Sequence, residues 1–144
     1  EDDKPVIGMT LRFDRIDNFW FVLRHELEHV LREDGKAINE AIIDTDVGVD
    51  ELGLPEFERH ANKAGAEFCV TSAELGNFIA RVQPYFSEEK VLRFAQRVNV
   101  HPGLVVGQLQ RKLGRHDFLR KHQVQVRALV LPSADADGWG SFSE

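Results

Sequence analysis

The sequence has little of what marks secreted, membrane-embedded or nucleic-acid-coating proteins. It has one cysteine, Cys69, in 144 residues, which excludes an internal disulfide and is typical of a reducing compartment. It has no apolar run long enough to span a membrane and no signal-peptide pattern at its start. The 18 Lys and Arg against 24 Asp and Glu give a net charge of −6, which argues against nonspecific nucleic-acid binding. These absences predict a cytoplasmic protein.

The most informative stretch is the amphipathic segment 19–31, which contains His-Glu-x-x-His. A helix places successive residues about 100° apart, so His25 and His29 share one face, one turn from each other. Two neutral imidazoles one turn apart can share a tetrahedral zinc ion, and Glu26 is placed to take a proton from water on the metal. The alternative is a charged, solvated helix face with two incidental histidines. The opposite face carries an apolar stripe that predicts a core-facing surface: Ile16, Trp20, Leu23, Leu27, Val30 and Leu31.

A second helix is predicted over residues 55–70, with Pro55 in its first turn. Within it, Glu58 and Asn62 are four residues apart and therefore share a face. Small side chains along this helix allow another helix to approach closely, as a metal shared between two helices requires. The small residues are Ala61, Ala64, Gly65 and Ala66. The alternative is ordinary small-residue packing with Glu58 in solvent.

The rest of the chain predicts one domain, residues 1–131, that combines short strands with helices. Strand formers are concentrated at 6–13, 41–43 and 127–131. Asp14 or Asp17 should cap the first helix, which is expected to run to about Glu33 with Gly35 just past its end. Further helical patterns occupy 73–82, 87–98, 103–113 and 118–124, most of them in a C-terminal helical subregion of about 87–125. Residues 132–144 predict a flexible, poorly packed tail.

The acidic loop 44–50 has the composition of a calcium site but not its spacing. Its glycine comes one position early for an EF-hand, and Pro55 stands where the final glutamate belongs. Calcium is therefore not expected.

Taken together, the two helices resemble the ImmA/IrrE family of metallopeptidases, including versions fused to HigA-like antitoxin regulators. The matching residues are His25-Glu26-Leu27-Glu28-His29 and the stretch 58–68, which is similar to the family's second metal motif. A third stretch, 98–110, looks like the segment that follows in HigA-type members. The resemblance covers about residues 5–115.

The resemblance implies a compact gluzincin-like α+β domain, in which a small antiparallel sheet packs on several helices that hold zinc. It implies His25, His29 and Glu58 as the zinc ligands and Glu26 as the general base. The implied activity is hydrolysis of a peptide bond in a protein substrate, such as a helix-turn-helix transcriptional repressor or an antitoxin-type regulator.

Two further roles are implied around this centre. Asn62 would accept a hydrogen bond from the distal nitrogen of a ligand histidine and so fix its tautomer. His101 and Tyr85 are candidates by residue type for stabilising the oxyanion. His101 is favoured because it lies in the third matching stretch, although a helix-starting or core histidine is the other reading.

Three departures from the family pattern bear on substrate access rather than on the ligands. Glu28 stands where the family often has Gly or Ala, Ala64-Gly65 replaces Phe-Ala, and Thr71 replaces Pro. They give weight to an alternative, a zinc-binding but non-cleaving regulatory or sensor domain of an antitoxin-like transcription regulator.

A second alternative is DNA binding by the chain itself, because residues 88–113 have a helix-turn-helix rhythm. The stretch 102–106 would start the recognition helix, yet it lacks the polar side chains that read bases. The acidic balance also argues against this function. A packed helical pair is favoured, and neither nucleic acid nor membrane is expected as a direct partner.

Overall fold

The computed structural model describes residues 4–35 and 53–133, and the regular elements within these ranges are helical. The longer helices are α1 (Ile16–Arg32), α2 (Glu56–Cys69), α3 (Ser72–Val82), α4 (Glu88–Arg97) and α5 (Pro102–Leu113). The last described part of the chain forms a 3-10 turn (Arg120–His122), the short helix α6 (Arg127–Val130) and a second 3-10 turn (Leu131–Ser133).

The predicted α+β fold with a small antiparallel sheet is wrong for the described residues, which contain no strand. Strand formers make a sheet only where a neighbouring strand supplies the hydrogen-bond ladder. Residues 6–13 have no such neighbour within the described ranges, and most of 127–131 is helical. The backbone N–H groups of Val126 and Arg127 instead donate to Asp14 Oδ1, at 2.8 and 2.6 Å. The predicted strand at 41–43, the acidic loop 44–50 and most of the predicted tail lie outside the described residues.

Helix ends follow the local chemistry of their flanking residues. The hydroxyl groups of Thr71 and Ser87 accept from backbone N–H groups in the first turns of α3 and α4. Gly114 ends α5 in the left-handed conformation, with φ 63°. The predicted caps of α1 are wrong: its N-cap is Arg15, which makes no side-chain cap hydrogen bond. Asp17 instead lies in the first turn of α1 as the ion-pair partner of Arg15.

Helix α5 lies at the centre of the core. It packs against α1, α2 and α4, and every residue from Gly103 to Gln110 is buried. One apolar cluster joins α5 to α3 and α4: Val70, Leu75, Phe78, Val91, Phe94, Ala95, Val105, Val106 and Leu109. A smaller cluster joins it to α1 and α2: Phe21, Val22, Cys69 and Leu104. The second half of the chain therefore holds most of the apolar core.

Helix α1 buries the face opposite to the predicted one. Its buried residues include both histidines, whereas Trp20, Leu27 and Leu31 are 37%, 38% and 71% exposed. Periodicity identifies which residues share a face, but the neighbour decides which face is covered. Here that neighbour is α2, which comes close because Gly65 has no side chain. A Cβ at Gly65 would lie 2.9 Å from the carbonyl oxygen of Phe21.

Candidate metal centre

Three side chains from α1 and α2 converge in the buried seam between the two helices. His25 and His29 point their Nε2 atoms toward each other at 3.1 Å. Across the seam, Glu58 places one carboxylate oxygen 3.2 Å from His25 Nε2 and the other 3.6 Å from His29 Nε2. The three residues are 3%, 5% and 7% exposed. This buried group can hold a metal ion, because its possible ligand atoms all lie within 4.8 Å of one another.

The separations fit a tetrahedral zinc site. Zinc binds histidine nitrogen and carboxylate oxygen at about 2.0–2.2 Å, so two ligands of a tetrahedral ion lie roughly 3.3 Å apart. The two nitrogens lie 3.1 Å apart, and each has a different Glu58 oxygen near it, at 3.2 and 3.6 Å, so all three contacts are close to that value. The chemistry of the donor set also fits, because two imidazoles and one carboxylate are a common zinc ligand set that leaves a fourth position open.

The Nδ1 atoms of the two imidazoles have different surroundings. His29 Nδ1 lies 3.0 Å from Asp34 Oδ2, and because an ionised carboxylate can only accept a hydrogen bond, this contact favours the tautomer with the proton on Nδ1. With Nδ1 protonated, the lone pair of His29 Nε2 points into the seam toward His25 and Glu58. His25 Nδ1 is buried and has no hydrogen-bond partner. Electron pairs that converge in a buried space need a cation or a shared proton between them.

The two acidic residues between the histidines, Glu26 and Glu28, have different surroundings. Glu26, the predicted general base, follows His25 on α1 and is partly buried. Glu28 forms an ion pair with Arg24 at 2.8 Å, so the negative charge that it brings to α1 is matched by a neighbouring positive charge.

The other predicted site residues are not part of the three-residue cluster. Asn62 lies one turn after Glu58 on α2, partly buried, and no hydrogen bond joins it to either histidine in the described structure. His101 is the N-cap of α5, where its Nδ1 accepts from the N–H of Gly103 at 3.0 Å. Tyr85 is 78% exposed in the loop before α4. The roles of Asn62 and His101 stay predictions.

Asp34 is not predicted by the sequence patterns. It lies five residues after His29, beyond the end of α1, where helical periodicity no longer assigns a face. One feature of the sequence could have indicated it: an acidic residue stands just past the end of a helix whose last turn carries a histidine.

Cys69 offers no competing nucleophile. It is 2% exposed, and burial raises the pKa of its thiol to about 11. A thiol is reactive as its thiolate, which this environment disfavours.

Comparison of the chain with family models, with curated proteins and with solved structures returned no match in any of the three. Within the described ranges, none of the helices is both long and apolar enough to cross a membrane. Any functional assignment therefore depends on the centre itself.

Proposed function

We propose that this chain is a zinc-dependent endopeptidase domain of the ImmA/IrrE kind, acting in the cytoplasm on a protein partner. The observation that carries the proposal is the buried convergence of His25, His29 and Glu58 at the separations of tetrahedral zinc ligands. The support for a peptidase is Glu26, which follows the first ligand in the His-Glu-x-x-His order.

Each residue of the proposed centre has one task. His25 and His29 bind through Nε2 and Glu58 through its carboxylate. A zinc ion held there would supply a Lewis acid and would lower the pKa of the attacking water. Glu26 would take the proton from that water and pass it to the leaving amine. The carboxylate suits both steps because it is a base when ionised and an acid once it carries the proton.

The proposed partner is a helix-turn-helix repressor or an antitoxin-type regulator, as the resemblance implies. A protein partner agrees with the burial of α5, which leaves no base-reading face along Gly103–Gln110. The lone, buried Cys69 agrees with a reducing compartment.

The test is zinc content followed by cleavage. We expect about one zinc per chain in chelator-washed, reconstituted protein, and loss of that zinc in Glu58→Ala and His29→Ala. Glu89→Ala removes a carboxylate that is 72% exposed on α4, and this control should keep the metal. Full zinc retention in both ligand variants would overturn the site.

Glu26→Gln separates metal binding from catalysis. It should keep the zinc but abolish cleavage of purified candidate repressors by the reconstituted protein, because Gln cannot accept the proton. Cleavage by Glu26→Gln at the wild-type rate would overturn the role of Glu26.

The burial of the centre favours one second candidate, the zinc-binding but non-cleaving regulatory domain. None of the three ligand residues is more than 7% exposed, and a peptide must reach the open metal position to be cut. On this reading, zinc is retained, repressors bind to the protein, and neither wild type nor Glu26→Gln cuts them.

A further inference from the structure

We propose that Asp34 is a positioning residue of this centre, which fixes the tautomer and the orientation of His29. The inference rests on the proposed zinc site. Asp34 Oδ2 lies 3.0 Å from His29 Nδ1, and the Asp34 side chain is only 12% exposed. Among the described residues, this is the contact that joins a carboxylate outside the ligand set to a ligand histidine.

The backbone at the end of α1 brings Asp34 into place. Glu33, the C-cap, adopts the left-handed conformation with φ 57° and ψ 30°. This conformation ends the helix, and the next residue is Asp34. Arg32 Nε lies 3.6 Å from Asp34 Oδ1, so the carboxylate is bound on one side by the imidazole and on the other by a guanidinium.

A carboxylate at this position does two things for a zinc ligand. It holds the proton on Nδ1, which leaves the lone pair on Nε2 to bind the metal, and it raises the basicity of the ring. His25 has no such partner, since its buried Nδ1 makes no hydrogen bond. His29 is therefore the fixed imidazole of the pair.

The experiment compares Asp34→Ala and Asp34→Asn with a matched control, Asp117→Asn, on a side chain that is 81% exposed beside Arg115. Zinc affinity is measured by chelator competition, and the imidazole ¹⁵N shifts of the zinc-free protein report which ring nitrogen carries the proton. Circular dichroism checks that each variant is folded.

We expect Asp34→Ala to weaken zinc binding about 10- to 100-fold, the range for residues that orient metal ligands. Asp34→Asn should weaken it less, because its amide oxygen still accepts from Nδ1. The ¹⁵N shifts should show His29 protonated on Nδ1 in wild type and a tautomer mixture in Asp34→Ala. Asp117→Asn should match wild type in both readouts.

Three results would overturn the proposal. Zinc affinity within twofold of wild type in Asp34→Ala would remove the role of Asp34 and leave the zinc centre standing. Weaker binding with an unchanged His29 tautomer would mean that Asp34 acts on zinc affinity only through its charge and does not position His29. Absence of zinc binding by the wild type would overturn the centre and this inference together. If Asp34→Ala does not fold, Asp34→Leu, whose side chain likewise accepts no hydrogen bond, is judged by the same criteria.

Discussion

Asp17 is a charged residue in the core, and its surroundings show why. Arg15 donates to both of its carboxylate oxygens, at 3.0 and 2.8 Å, and also to Gln110 Oε1 at 3.0 Å. Asp17 itself is 6% exposed. A buried charge is tolerated when it is paired in this way and costly when it is not. The space for it comes from Gly107 on α5, where a Cβ would collide with the Asp17 carboxylate.

Gly107→Ala should therefore destabilise the protein. The added methyl group must push Asp17 away from Arg15 or move α5, and overpacking of this kind costs about 1–3 kcal/mol. The control is Gly76→Ala on the exposed face of α3, where a Cβ meets nothing within 4 Å. That change should stabilise by about 0.5–1 kcal/mol, because glycine is unfavourable inside a helix. Urea unfolding followed by circular dichroism measures both, and equal effects of the two substitutions would contradict the prediction.

Cys69 should react slowly with thiol reagents in the folded protein. Burial raises the pKa of its thiol to about 11, so at pH 8 only about one thiol in a thousand is ionised. Reaction with a disulfide reagent should be much slower in buffer than in urea, where the thiol regains its ordinary pKa. Since Cys69 is the single cysteine, one absorbance trace reports on it alone. Equally fast labelling in both solvents would show that the smaller apolar cluster is open.

At the scale of helices, an end depends mainly on adjacent residues, whereas the covered face depends on distant ones. Ser87 and Gly114 act on neighbouring backbone groups, so their effects could be deduced from a few adjacent residues. The covered face of α1 could not, because it depends on Glu58 and Gly65, about forty residues away along the chain. The motif and the resemblance together predict the three candidate ligands. They do not predict Asp34, since its position depends on the left-handed backbone of a non-glycine residue, Glu33.

The cap of α5 should make stability depend on pH. Partial desolvation, together with the nearby His122, lowers the pKa of His101 below its usual 6.5. The unfolded chain therefore takes up the proton more readily than the folded protein. The contribution of His101 is fully present above pH 6.5 and is lost as the pH falls below that value. Protonation of His101 removes the cap of α5, because a protonated Nδ1 cannot accept the hydrogen bond from the N–H of Gly103.

The measurement is the urea midpoint between pH 5 and 8 for wild type and His101→Asn. Asparagine is a good N-cap that does not titrate in this range. The variant should lose less stability than wild type on acidification, whereas His116→Asn, an exposed control, should follow wild type. Parallel pH profiles for wild type and His101→Asn would refute the role of the cap.

At the scale of the molecule, the two halves of the fold are held together differently. Helices α3, α4 and α5 enclose the larger apolar cluster, in which Phe78 and Phe94 stack with ring centroids 4.3 Å apart. The seam between α1 and α2 has a smaller apolar cluster and buries the two histidines and Glu58. Burial of apolar side chains therefore stabilises the second half. The stability of the first half depends more on whether its buried polar side chains have partners.

Metal removal should consequently weaken the molecule unevenly. Zinc that binds only the folded state adds about 2.7 kcal/mol of stability at a free concentration 100 times its dissociation constant. A chelator should reverse this gain in wild type and have no effect on Glu58→Ala. Hydrogen exchange should show that chelation lowers amide protection in α1 and α2 and leaves it unchanged in α3–α5, because zinc would cross-link only α1 and α2. A uniform loss of protection would mean that the two halves unfold as one unit. No chelator effect in wild type would mean that the three buried candidate ligands share a proton and hold no metal.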